Sequence, residues 1–227
     1  MKKTLIPLVL LLAIFSLYAG DAASFVNLGF SGDGNTFMFG IHGITQKDSY
    51  PYAEMYVVDV ADNDFVPAGV KKKTYPVSFL PGQDSVAALL NLLEDNISLT
   101  KKYGIDHLNQ GRLLYILANG AEPKDYIEFR DFYTSEEYHV TLVQTKKGSK
   151  ESSQASFHIQ LTKIDKSKNS ITAVIGLPNY FRKGVMEYRI RQIILAPDNA
   201  SLVFVVEKYY YDTDGPTIKY MVETYTP

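Results

Sequence analysis

The chain has 227 residues, 46% of them hydrophobic and 21% charged, which is enough apolar material for one sizeable core. Its formal net charge is −2, so it lacks the basic excess that a nucleic-acid partner requires. It has no cysteine, which excludes disulfides, thiolate catalysis, cysteine-based zinc sites and a lipidated leader.

Met1-Lys2-Lys3 precedes an apolar run at 5–18 and the small residues Ala19, Gly20, Ala22 and Ala23. This order reads as a signal peptide over 1–22, because the run is too short to span a bilayer comfortably. The expected mature part, 23–227, has no second apolar stretch of spanning length and is expected to be one β-rich extracytoplasmic domain, secreted or periplasmic. An exported chain without cysteine points to bacteria.

The mature chain opens on strand, tight turn, strand. Ser31-Gly32-Asp33-Gly34 supplies glycines that accept positive φ and an aspartate that can bond its own backbone, and Thr36-Phe37-Met38-Phe39 re-enters a strand. Gly40 and Gly43 around Ile41 and His42 predict a bend or a close backbone approach. A strand follows at 54–60, then a turn at Asp62-Asn63-Asp64, with Phe65-Val66 pairing back. The stretch 71–83, which starts at Lys71-Lys72-Lys73, reads as polar loop with solvated charge. Asp84 or Ser85 caps one helix, whose apolar stripe is Val86, Leu89, Leu90, Leu93 and Ile97, and Gly104 ends it.

Beyond the helix the pattern is β again. Strands are predicted at 112–118, 125–133 and 137–144, the last alternating Tyr138, Val140 and Leu142. The runs 156–164 and 170–175 form a hairpin around 165–169, and 186–195 feeds a second unit through the turn Ala196-Pro197-Asp198-Asn199. Strands at 202–210 and 217–224 finish the chain. The closing hairpin repeats the layout of the opening one, and the two related units are expected to fold against each other. The fold class is therefore mainly β, with antiparallel sheets in propeller-like or sandwich-like hairpin units and one amphipathic helix.

The Ser31-Gly32-Asp33-Gly34-x-x-Phe-x-Phe stretch resembles the turn of periplasmic TolB-type β-propeller repeats, and 195–204 is a second, looser copy with Asn199 in place of glycine. Phe-Val-Asn-Leu-Gly-Phe-Ser at 25–31, Tyr-Val-Val-Asp-Val at 56–60 and Leu-Ala-Pro-Asp at 195–198 together resemble an uncharacterised family of predicted secreted bacterial proteins. That resemblance implies export and carries over no functional residue.

No catalytic constellation stands out. His42, His107, His139 and His158 are scattered without metal-ligand spacing, and no nucleophile elbow or phosphate loop is present. Glu128, Asp131, Glu136 and Glu137 are the densest acids beside a strand and read as solvated strand ends. Asp212-Thr213-Asp214-Gly215 opens like a calcium loop, so Asp212 and Asp214 are the candidate metal ligands, although no glutamate closes the loop. Tyr50-Pro51-Tyr52 and Tyr209-Tyr210-Tyr211 take equivalent places in the two units and read as core or strand-edge tyrosines that could also make a contact surface. The sequence favours a non-enzymatic binding or envelope-interaction module without a cofactor, its partner a protein or glycan of the cell envelope. The alternative is a secreted hydrolase that uses carboxylates or a calcium loop.

Overall fold

A computed structural model of the chain describes residues 23–79, 83–213 and 215–227. The expected leader at 1–22 and the candidate ligand Asp214 lie outside the described residues. The first sheet contains β1 (Ser24–Ser31), β2 (Thr36–Ile44), β3 (Pro51–Asp59), β4 (Asp64–Thr74) and the short β5 (Ile105–Asp106), in the order β4-β3-β2-β1-β5. Between β4 and β5 come α1 (Val86–Asp95) and α2 (Ile97–Lys102). The second sheet is β14 (Thr217–Tyr225), β13 (Leu202–Tyr210), β12 (Val185–Leu195) and β6 (Arg112–Ile116), adjacent in that order. The third is β10 (Ser170–Ile175), β9 (Gln154–Ile164), β8 (Glu137–Lys147) and β7 (Tyr126–Arg130), with β11 (Arg182–Lys183) also paired to β9. All the pairings are antiparallel, and none of the sheets closes into a barrel.

The layers stack as helices, first sheet, second sheet, third sheet, with an apolar core in each of the three gaps. Ala88, Leu89, Leu92 and Leu99 of the helices pack on Met38, Ala53, Met55 and Val57. The opposite face of the first sheet, with Phe30, Phe37, Phe39 and Ile41, meets Ile194, Val203 and Val205 of the second. The second sheet's other face, with Ile193, Leu195, Leu202, Phe204 and Val206, meets Tyr138, Val140, Leu142, Phe157 and Ile159 of the third. This placement explains why 202–206 is one uninterrupted apolar run: successive side chains point into different cores, and both faces exclude water. In β8, by contrast, only Tyr138, Val140 and Leu142 are buried while their neighbours face outward, giving the expected alternation.

The opening and closing hairpins do fold against each other, through the core between the first two sheets. Their turns also use the same chemistry. Asp33 accepts from the Ser31 hydroxyl at 2.6 Å and the Asn35 amide at 3.1 Å. Asp198 accepts from the Ser201 hydroxyl at 2.6 Å and the Ala200 amide at 2.9 Å. Gly34 and Asn199, each next after the aspartate, both take positive φ, at 79° and 58°. Asparagine tolerates that region through its short polar side chain. The two turns touch: a Cβ added at Gly34 would lie 3.2 Å from the Asp198 nitrogen.

Several expectations are corrected. The helix breaks at Asn96 into α1 and α2, and its buried face is Ser85, Ala88, Leu89 and Leu92, while Leu90 and Ile97 are exposed. Leu89, common to the expected and the observed face, seats on the sheet at Gly40, where a Cβ would sit 2.6 Å from its Cδ1. Residues 71–74 are not loop but the far half of β4, paired with 52–55, and Lys72 and Lys73 bond Glu54 and Asp95 at 3.0 and 2.6 Å. Asp131 is not a solvated strand end. It is 2% exposed and accepts a two-pronged bond from Arg112, together with the Tyr133 amide at 2.9 Å and the Thr134 hydroxyl at 2.8 Å. Glu136 is likewise held, by Lys163 at 3.0 Å and the Tyr138 hydroxyl at 2.9 Å.

Arg112 lies in the second sheet and Asp131 follows the last strand of the third, so this pair fastens one layer to the next. The Arg112 guanidinium, opposed by burial and helped by the backbone donor, holds the Asp131 carboxyl well below the usual carboxylate range. Its folded pKa lies below its unfolded one, so the stabilisation is fully present above the unfolded pKa and is lost as pH falls from there through the folded one. Asp131→Ala removes the buried acceptor of four bonds but leaves Arg112, whose side chain is 29% exposed, partly solvated, and is expected to cost about 1–3 kcal/mol in denaturant unfolding at neutral pH. The loss should shrink as pH falls through the carboxylate range.

Candidate functional site

A cleft of about 460 Å3 opens where all three sheets contribute to one wall. The β3–β4 turn supplies Asp62, Asn63 and Asp64, β14 supplies Met221, Val222 and Glu223, and the segment between β10 and β12 supplies Leu177 and Arg182. Val58 and Phe65 extend the apolar wall. The turn is shaped by Asp59, which accepts from the amides of Ala61 and Asp62 at 3.0 and 3.1 Å, and by Asn63 at φ 52°. That left-handed residue aims its amide at β14. Its Nδ2 donates to Glu223 Oε2 at 2.6 Å, and its Oδ1 accepts the Thr224 amide at 2.7 Å. Thr224 completes the clip by donating its hydroxyl to the Val60 carbonyl at 2.7 Å.

The Glu223 side chain is 8% exposed, and burial raises its pKa against the opposing Asn63 bond and Arg182 charge. Arg182 is fixed by stacking: its guanidinium carbon lies 4.9 Å from the Tyr180 ring centre and 5.6 Å from that of Phe157. Its Nη2 stops 4.0 Å from Glu223 Oε1, and its Nη1 is buried with no hydrogen-bond partner. The cleft thus holds a buried carboxylate with one close donor, a guanidinium that is only half used, and an apolar wall. Such a site can accept hydrogen bonds from a ligand's donor group while the wall covers its apolar stem.

A second concavity, of about 590 Å3, lies beside the loop at 118–123 and is more charged but closed on itself. Arg189 bonds Glu187 at 2.5 Å and the Tyr209 hydroxyl at 3.0 Å, Tyr209 donates to Glu207 at 3.1 Å, and Arg191 bonds Asn119 at 2.6 Å. Lys146 also reaches Glu187, at 3.1 Å. A ligand would have to displace bonds that are already made, so this network reads as structural.

The candidates read from the sequence are not brought together. His42 is buried in β2 with Nδ1 2.8 Å from Ser85 Oγ, and burial lowers its pKa. His107 Nδ1 donates to the Leu28 carbonyl at 2.6 Å. His139 and His158 stand on β8 and β9, His139 opposite Thr162 and His158 opposite Val143. Glu128 is exposed, with His139 at 4.0 Å. Asp212 lies in the β13–β14 connection, where Thr213 donates to it at 3.4 Å. Among the described residues no group of three metal-ligating side chains is placed to hold an ion. Tyr52 is buried in the core, whereas Tyr209 joins the charged network. Sequence reading missed Glu223, Arg182 and the role of Asn63. The available signal was Glu223 alternating with Met221 and Tyr225 on one face of a closing strand.

A family model described as "Predicted secreted protein (DUF2259)" matches residues 38–226. The chain belongs to this family. Membership agrees with the resemblance read from 25–31, 56–60 and 195–198 and marks the protein as secreted, and the family's description assigns no activity. No curated protein and no solved structure matches the chain. No helix among the described residues is long and apolar enough to cross a membrane.

Two substitutions test the wiring of the cleft. Asn63→Ala removes both the donor to Glu223 and the acceptor for Thr224, and is expected to cost about 1–3 kcal/mol in denaturant unfolding. Glu223 titrates higher folded than unfolded, so its contribution is fully present below the unfolded carboxylate pKa and is lost as pH rises through the folded one. Glu223→Gln should flatten that part of the profile of melting temperature against pH.

Proposed function

We propose that the protein is an exported, non-enzymatic binding module of the bacterial cell envelope. Its mature part, 23–227, folds as one domain after loss of the leader at 1–22. The cleft around Glu223 receives an exposed lysine, arginine or amide side chain of a partner protein. The observation that carries this reading is the buried Glu223 carboxylate, which has one direct donor and opens onto an apolar-walled cleft. Asp62 and Asp64 also line the cleft, so its carboxylates outnumber Arg182, the one basic side chain in its lining. That balance favours ligands that donate hydrogen bonds. Among the described residues the cleft lining holds no histidine and no hydroxyl nucleophile with which the buried carboxylate could share a proton-transfer reaction.

The test is an NMR titration of the purified protein with butylamine, butylguanidinium and propionate. The amine and the guanidinium should shift the amides of Asn63, Leu177 and Glu223, propionate should not, and Glu223→Gln should abolish the effect. Absence of any shift at these residues would overturn the reading. Turnover of generic ester or glycoside substrates, lost in Glu223→Gln, would favour the hydrolase alternative. A calcium-dependent rise in melting temperature that disappears in Asp212→Ala would favour the metal-loop form of that alternative.

A further inference from the structure

The strand β13 leaves its apolar run at Glu207 and Lys208. Glu207 is satisfied within the charged network by two tyrosine hydroxyls. Lys208 is not. It is mostly buried, and among the described residues no hydrogen bond, ion pair or ring contact engages its ammonium. Lys219 stands directly opposite it on β14, and both line a small pocket of about 160 Å3 closed by Tyr52, Glu54, Tyr56 and Lys72 of the first sheet. Glu54 is the one carboxylate in that lining, and it is already engaged: it accepts the Tyr56 hydroxyl and pairs with Lys72 at 3.0 Å. Lys219 is exposed, lies 6.0 Å from the Tyr210 ring centre and adds its charge to that of Lys72 beside Glu54. Three lysines therefore line a space in which, among the described residues, the one carboxylate is already engaged.

A largely desolvated charge without a direct partner lowers stability, and a neutral side chain of the same length would fill the same volume without that cost. The missing element is a negative charge in the pocket. We propose that this pocket binds an oxyanion, the phosphate, sulfate or carboxylate group of a small polar molecule, held by Lys208, Lys219 and Lys72. The pocket opens into a polar depression of about 320 Å3 that shares Tyr52, Glu54, Lys72 and Lys219 with it and adds Thr45, Gln46 and Thr74. The body of the molecule lies there, among hydroxyl and amide groups suited to a hydroxylated ligand. The electrostatics agree with the geometry. Burial, and then the charges of Arg182, Lys219 and Lys72 against that of Glu54, push Lys208 down to about 8, so at neutral pH it is still a cation and is poised to gain from an anion.

The experiment follows the Lys208 side chain by NMR in the purified protein, titrating pH with sodium phosphate, sulfate, acetate or chloride at matched ionic strength. The bound oxyanion raises the Lys208 pKa by at least one unit over the chloride value, and comparison of phosphate, sulfate and acetate identifies the head group. In parallel, the melting-temperature gain from that anion should vanish in Lys208→Met and persist in Lys102→Met, since sulfate and phosphate also stabilise proteins generally. Affinity in Lys208→Met should fall about tenfold or more, as expected for one charge-assisted hydrogen bond. A Lys208 titration that all three oxyanions leave where chloride puts it overturns the proposal, as does a melting gain retained in Lys208→Met. If Lys208→Met does not fold, the wild-type titration decides alone.

Discussion

The central strand of the second sheet has water on neither face over 202–206. Every residue of that run must be apolar, because even and odd positions enter different cores. The constraint reaches outward in both directions. It requires Phe37, Phe39 and Ile41 on the first sheet and Tyr138, Val140 and Leu142 on the third to present matching apolar faces. It also means that polar groups carried by the same strand beyond the run enter confined ground. Glu207 and Lys208 are adjacent in sequence and point to opposite faces. One falls into a network that neutralises it and the other into a pocket that does not.

The concavities therefore differ in chemistry for a common structural reason. Where strand ends emerge from the stack, charged and aromatic side chains replace aliphatic ones, and each gap between sheets closes with whatever its own edges provide. The gap at the Glu223 end supplies carboxylates and an apolar wall, so it seeks hydrogen-bond donors. The gap at Lys208 supplies ammonium groups and tyrosines, so it seeks an acceptor. Beside the loop at 118–123, arginines and glutamates are matched, and nothing is left over for a ligand. Among these sites the useful distinction is unmet bonding capacity rather than volume, since the largest of the three is also the most self-sufficient.

Much of the layering was legible in the residues themselves. The alternation at Tyr138, Val140 and Leu142, the unbroken run 202–206 and the aspartate turns at 33 and 198 each follow from local geometry, and Gly40 and Gly43 were read as a bend or a close approach. Cβ atoms at those two positions would meet Leu89 and Tyr52. What was not legible depended on partners distant in the chain. The helix turns its Ala88–Leu92 side onto Met38, Ala53, Met55 and Val57, partners that helical periodicity does not reveal. Lys71-Lys72-Lys73 looked like loop because an edge strand paired on one side needs no apolar face. Asp131 looked solvated until Arg112, from another sheet, was beside it. Asn63 and Glu223 meet across 160 positions, so no motif joins them.

The lysines of β4 have a further consequence. This strand is the last in its sheet, and among the described residues no further strand pairs with its outer edge. A flat apolar edge of that kind recruits strands from other molecules and seeds fibrils. Consecutive ammonium groups at 71–73 make such recruitment unfavourable, because an incoming copy would lay its own positive charges alongside. A secreted protein works without cytoplasmic chaperones, so charge at an open edge helps to keep its copies apart.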